Sequence, residues 1–154
     1  MKNISVSRAV AAPAEVVWSI LIDLDGWVDT ISAIQSVEIL SDGEYFGVGT
    51  KWTETRTMFG KQATEVMWVT EVHPGVSYVA HAESHGAKYT TTMTVIPTGE
   101  NSSEISMDFS AEPTGTMARV MGATVGKLFE GATRKAVAQD LADIAAAAEA
   151  KSPH

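Results

Sequence analysis

Turn sequences divide the middle of the chain, from residue 35 to residue 112, into six short segments. Each of the five breaks contains glycine, and they read Ser41-Asp42-Gly43, Phe59-Gly60, His73-Pro74-Gly75, His85-Gly86 and Pro97-Thr98-Gly99. The segments between them cover about residues 35–41, 49–59, 61–73, 76–85, 87–97 and 102–112. Short alternating segments separated by tight turns are typical of consecutive antiparallel hairpins. The pattern therefore predicts six antiparallel strands.

Apolar residues recur with different periods in the N-terminal and C-terminal parts of the chain. Residues 3–11 alternate between apolar and polar side chains and predict a first strand. Pro13 suits the first position of a helix over about residues 13–25, and a second short helix follows at about residues 27–31. Apolar residues then recur at helical spacing over about residues 116–149, which predicts one long helix. We expect an α+β fold with two short helices after strand 1.

Length, composition and charge limit the class of protein. The chain has 154 residues, which suits one domain over residues 1–150 with a frayed tail at 151–154. It has no cysteine, so disulfides and thiolate metal sites are excluded. A signal peptide and a membrane-spanning segment are not apparent, so we expect a cytoplasmic protein without membrane insertion. The net charge of −8 repels phosphate backbones, so nucleic acid is not an expected partner.

One face of the predicted sheet is polar and the other is mixed. Three segments carry threonine, serine, lysine and acids at alternate positions, and large apolar residues at most of the others. A sheet of this kind is exposed to water on one face only, so its inner face needs a cover. The C-terminal helix is the available cover. We therefore predict a curved seven-stranded antiparallel sheet wrapped around that helix.

The inner face combines large, flexible and small side chains with a few polar groups. Methionine adapts to varied ligand shapes, and a few polar groups in an apolar concavity are typical of a small-molecule site. The alternative is a solid core that happens to contain methionine. The predicted ligand-binding residues are Trp52, Glu54, Arg56, Met58, Tyr78, Ala80, Tyr89, Met93, Met107, Phe109, Met117 and Met121.

Glu54 and Arg56 are the candidate catalytic residues. They are two apart on a predicted strand, so they share a face at a spacing of about 6.6–6.8 Å. In one interpretation Arg56 anchors a carboxylate or phenolate, and Glu54 neutralises it or acts as an acid–base group. In the other they are a structural ion pair or a pair near the rim. A buried arginine without a partner would be costly, so a partner is expected if Arg56 lies inside.

His81, Glu83 and His85 place three potential metal ligands on one strand face. The opposite face carries Ala80 and Ala82 and makes the better inner face, so we expect the histidines to face solvent and expect no metal site. In the opposite register these residues would be acid–base candidates inside the pocket. No cofactor is expected.

Four stretches of the chain resemble the START/Bet v 1-like superfamily. The resemblance is narrower to the bacterial polyketide cyclase/dehydrase and lipid-transport group, the SRPBCC proteins. The stretches are APAEVVW at 12–18, GVGTKW at 47–52, VTEVHP at 69–74 and AEPTG at 111–115. The resemblance covers about residues 3–148 and implies a helix-grip fold with an internal cavity. It implies no active site, because the shared residues are turn and packing residues.

Three functional hypotheses follow. The favoured one is a carrier or sensor for a hydrophobic or aromatic ligand, lipid- or polyketide-like. The second is a cofactor-free cyclase or dehydratase, in which Glu54, Arg56, Tyr78 and Tyr89 orient and protonate a polyketide-like substrate. The third is a protein-interaction or stress-response module with a vestigial pocket. A monomer and a homodimer are both compatible with the sequence.

Overall fold

The computed structural model describes residues 2–41, 46–58, 60–84, 87–113 and 116–151. Within these ranges, the side chains of residues 2, 58, 84 and 113–130 lie outside the described part. No helix in the part of the chain so described is both long and apolar enough to cross a membrane.

The order of elements follows the predicted pattern. The strands are β1 (Lys2–Val10), β2 (Ile34–Ile39), β3 (Lys51–Met58), β4 (Lys61–His73), β5 (Ser77–Ser84), β6 (Ala87–Gly99) and β7 (Ser102–Pro113). The helices are α1 (Ala14–Leu21), α2 (Trp27–Thr30) and α3 (Thr116–Lys151), with a 3₁₀ turn at Leu24–Gly26 between the first two.

The first helix is shorter than predicted. It ends at Leu21, and the chain then tightens, with the amide of Asp23 donating to the carbonyl of Ile20 and that of Gly26 to the carbonyl of Asp23. These bonds span three residues, so the segment forms a 3₁₀ turn and not a continuing α-helix.

The seven strands form one antiparallel sheet in the order β1-β7-β6-β5-β4-β3-β2. Consecutive hairpins join β2 to β7, and β1 pairs with β7 at the far side. Two predicted breaks contain glycine in the left-handed region, Gly60 at φ 77° and Gly75 at φ 79°, where other residues are strained. The sheet, the short helices after β1 and the long C-terminal helix confirm the predicted helix-grip fold.

The end of α3 packs tightly and its middle does not. Leu141, Ala145 and Ala148 are buried in the core against α1 and the sheet, and the two alanines let the helix approach closely. In the roughly two turns that precede Leu141, from Thr133 to Asp140, the same face of α3 borders an open space. The fold therefore has a solid core at one end of α3 and room beside it.

Candidate functional site: an internal cavity with one buried ionic cluster

A cavity of about 500 Å³ lies between the inner face of the sheet, the α1–α2 region and the middle of α3. This volume falls within the range of small-molecule sites. Most of its wall is apolar, so the inner face does not close into a solid core. Nine of the ligand-binding residues predicted from the sequence line this cavity: Trp52, Glu54, Arg56, Tyr78, Ala80, Tyr89, Met93, Met107 and Phe109. The side chains of Met58, Met117 and Met121 lie outside the described residues.

Several parts of the cavity wall were not predicted from the sequence. On β4 every second residue from Lys61 to Met67 faces the cavity, but the alternation of this strand did not indicate which of its two faces lies inside. Trp27 was not among the predicted residues, but it borders the cavity and meets Trp52 edge to face, with ring centroids 5.4 Å apart. The lining residues outside the prediction are Leu21, Trp27, Ile31, Ile34, Lys61, Ala63, Glu65, Met67, Ala82, Thr91, Thr133, Ala136, Val137, Asp140 and Ile144.

Glu54, Arg56 and Asp140 form an ionic cluster at the cavity wall. The Arg56 Nε donates to Glu54 Oε2 at 3.1 Å, and its Nη1 donates to Asp140 Oδ2 at 3.0 Å. Trp52 Nε1 donates to the other oxygen of Glu54 at 3.0 Å. Glu54 is 7% exposed and Asp140 is 5% exposed. Arg56 therefore has two acidic partners, as expected for an arginine inside the fold: Glu54 on the same strand and Asp140 on α3.

Burial and charge shift the pKa values of this cluster. Burial alone would lower the pKa of the Arg56 guanidinium, but the attraction of Asp140 and Glu54 outweighs it, so the pKa is raised. Burial raises the pKa of Asp140, Arg56 offsets part of that rise, and the negative charge of Glu54 adds to it. Burial, followed by the charges of Glu54 and Asp140, also raises the pKa of the Tyr78 phenol. Asp140 is thus easier to protonate than an ordinary aspartate.

Two buried oxygens on α3 have no hydrogen-bond partner among the described residues. They are Oδ1 of Asp140 and Oγ1 of Thr133, and both residues line the cavity. They are seven residues apart, so they lie on the same face of the helix, about 10 Å apart along its axis. A buried polar atom without a partner is uncommon in native proteins, and each such atom calls for an explanation.

The outer face of the sheet holds His81. Its Nε2 lies 2.9 Å from Thr70 Oγ1 and its Nδ1 lies 3.2 Å from Thr90 Oγ1, while the Trp68 ring stacks against it at 6.0 Å. Glu83 is on the same face and exposed, and His85 lies outside the described residues. The alternative register, with the histidines inside, is therefore wrong for His81. A group of three potential metal ligands does not occur among the residues that the structure describes.

The fold and the cavity define a helix-grip protein with an internal, mostly apolar pocket. The family model described as polyketide cyclase / dehydrase and lipid transport matches residues 1–149. The chain belongs to this family, as the resemblance implied. No curated protein matches the sequence.

Solved structures agree on the fold. The protein TTHA0849 from Thermus thermophilus is 19% identical with a TM-score of 0.81, covering 99% of this chain and 100% of that one. The Zhui aromatase/cyclase from Streptomyces sp. R1128 is 17% identical with a TM-score of 0.79, covering 99% of both chains. A START superfamily protein from Mycobacterium smegmatis is 17% identical with a TM-score of 0.64, covering 89% of this chain and 97% of that one. At these identities the similarity shows a shared START-like fold alone.

Proposed function

We propose that this chain binds a small, mostly apolar molecule of lipid-, aromatic- or polyketide-like type in its internal cavity, as a carrier or sensor. The observation that carries this proposal is the cavity of about 500 Å³ with an apolar wall and one ionic cluster. Ligand sites commonly combine apolar walls with a few polar groups that fix orientation.

The packing of the wall supports a ligand. The atoms that line an empty apolar space lose dispersion contacts on one side, and a bound molecule restores them. Met67, Met93 and Met107 lie on three different strands of the wall. Their unbranched side chains can adjust to the outline of a guest. The wall is thus suited to a molecule whose affinity comes mainly from buried apolar surface.

The ionic cluster supports an oriented ligand. Burying Glu54, Arg56 and Asp140 together stabilises a fold little or not at all, compared with apolar residues of similar size. Their position at a cavity whose wall is mostly apolar is consistent with recognition of one polar end of the guest. The remainder of the guest would lie against the apolar wall.

Filling the cavity tests the proposal. Ala80 is 2% exposed and lines the cavity, so Ala80→Leu places three more carbons in the space a ligand needs. We expect it to weaken binding of the neutral probe N-phenyl-1-naphthylamine by about tenfold or more, since overpacking typically costs about 1–3 kcal/mol. The matched control is Ala9→Leu, the same change at an exposed position on β1.

Fluorescence titration measures the affinity, and circular dichroism checks that both variants fold. Native mass spectrometry of the purified wild type, followed by extraction, would identify a co-purifying guest. If the probe does not bind the wild type, or binds Ala80→Leu as tightly as Ala9→Leu, the cavity is not a ligand site.

A second candidate function is cofactor-free catalysis of cyclase or dehydratase type. The raised pKa of Asp140, within a cavity that also holds Arg56 and Tyr78, favours it. Acid–base groups with shifted pKa values are concentrated at active sites. Asp140 is a better candidate than Glu54, whose two carboxylate oxygens already accept bonds from Trp52 and Arg56. Turnover of a linear poly-β-ketone to an aromatic product that is lost in Asp140→Asn would support this function.

A further inference from the structure

The described charged residues of the cavity wall include more acids than bases. Among its described lining residues, three carboxylates (Glu54, Glu65 and Asp140) face two cations (Arg56 and Lys61). Glu54 and Glu65 are directly opposite each other on β3 and β4, and Lys61 is exposed at the end of that hairpin. Among the described residues, the cluster of Glu54, Arg56 and Asp140 therefore carries an excess of negative charge.

The positive charge of Arg56 is already engaged. Its Nε and Nη1 donate to Glu54 and Asp140 at 3.1 and 3.0 Å, so the cluster as a whole has two negative charges and one positive charge. A carboxylate that approached Arg56 from the cavity would also approach both of these acids. Repulsion between like charges is strong where water is largely excluded.

The unpaired oxygen of Asp140 adds a directional preference. Oδ2 accepts a bond from Arg56, but Oδ1 is buried and has no partner among the described residues. An acceptor left without a donor is costly, and an O–H or N–H group from a guest would remove that cost. A carboxylate has no hydrogen to donate at neutral pH.

We propose that the cavity selects molecules whose polar end is an uncharged or positively charged hydrogen-bond donor, an alcohol or an amine, and rejects carboxylates. This inference rests on the proposed function and names the chemical class of its ligand. The initial interpretation of Arg56 as an anchor for a carboxylate is replaced by one in which Asp140 receives the donor and Arg56 holds Asp140 in place.

A matched set of biphenyl probes tests this selectivity. The probes are 4-biphenylmethanol, protonated 4-phenylbenzylamine and biphenyl-4-carboxylate, which share one apolar body and differ in the charge of one end. Affinities are measured by isothermal titration calorimetry at slightly alkaline pH, because this pH favours ionised Asp140 and keeps the amine protonated. We expect the alcohol and the amine to bind at least about tenfold more tightly than the carboxylate.

Asp140→Asn provides the decisive variant, because it removes one negative charge with little change of shape. We expect the ratio of amine affinity to carboxylate affinity to fall by about tenfold or more, with the alcohol least affected. Asp143→Asn is the matched control. It is the same change on the same helix, but Asp143 bonds to Ser32 and does not line the cavity.

The outcomes separate the selectivity from the binding function. Carboxylate binding as tight as that of the alcohol and the amine in the wild type overturns the selectivity, and this result does not depend on whether Asp140→Asn folds. An equal change of the affinity ratio in Asp143→Asn also overturns it. If N-phenyl-1-naphthylamine and all three biphenyls fail to bind, the proposed binding function is itself wrong. An alcohol preferred over both charged probes would support an uncharged guest, and an amine preferred over both would support a cationic one.

Discussion

Replacing Thr133 by valine should make the free protein more stable. Thr133 is 4% exposed, and its buried Oγ1 has no hydrogen-bond partner among the described residues. A buried hydroxyl without a partner costs about 1–3 kcal/mol, whereas a methyl group of similar size at the same position carries no such penalty. Threonine and valine have nearly equal helix propensities, so α3 itself gains or loses little.

We expect Thr133→Val to raise the free energy of unfolding by about 1 kcal/mol, the low end of that range, because a side chain can relax. For a chain of this size that corresponds to a rise in Tm of about 2–4 °C. Urea denaturation followed by circular dichroism gives the free energy, and differential scanning calorimetry gives the Tm. Both should be measured on protein from which bound guests have been extracted, since a ligand would itself stabilise the fold.

Ser103→Ala is the control, because Ser103 is a buried hydroxyl that does have a partner. It is 2% exposed and donates to the carbonyl of Ala12 at 2.8 Å. Its removal should lower stability by about 1 kcal/mol or more, since the carbonyl is then left unpaired. If Thr133→Val lowers stability as Ser103→Ala does, then the Thr133 hydroxyl is already satisfied in the free protein, and the reasoning from its missing partner is wrong.

Two further predictions concern the ionic cluster. Arg56→Met leaves Glu54 and Asp140 buried without their cation and should lower stability by about 3–5 kcal/mol in urea denaturation, whereas a loss below about 1 kcal/mol would show that water reaches both acids. Because burial raises the pKa of Asp140, its contribution to stability should fall as pH rises from the ordinary aspartate range through the raised pKa, and Asp140→Asn should flatten that part of the profile. Asp143 should act in the opposite sense: burial opposes ionisation, but bonds from Ser32 lower its pKa, so its contribution is present above the ordinary value and is lost on acidification. Urea midpoints measured from acid to neutral pH for the wild type, Asp140→Asn and Asp143→Asn test both signs, and equal slopes in all three would contradict them.

The order of strands and helices could be predicted because it depends on local signals. The bounds of β4 at Lys61–His73 and the start of α3 at Thr116 agree with the alternation and the turn sequences. The inner face of β3 could also be identified. Trp52 lies on one face of the strand, and the alternate positions on the other face are mostly threonines. Period and turn chemistry are properties of a few neighbouring residues, so a single sequence contains them.

The wall contributed by β4 and α3 could not be identified in this way. On β4 both faces mix polar and apolar residues, with Glu65 and Met67 inside and Val66 and Trp68 outside, so the inward face is set by pairing with β3. Asp140 is 84 residues from Arg56, and their contact depends on how α3 is rotated against the sheet. Hydrophobic periodicity fixes the rotation of a helix only approximately. A single acid such as Asp140 in an apolar stripe can lie at the centre of that stripe, facing the core, or at its edge, facing solvent.

The position of β1 has a consequence for how the chain folds. β1 pairs with β7 alone, so residues near the N-terminus meet partners about a hundred positions later, as Lys2 does opposite Ala111 and Ser5 opposite Asp108. During synthesis the first strand has no sheet to join until β7 has emerged from the ribosome, whereas the hairpins from β2 to β7 can form in sequence. Closing so long a loop is slow and leaves β7 as an unpaired edge in the meantime. Docking of β1 is therefore expected to be a late step in folding, and the interval before it is when the chain is most exposed to misassembly.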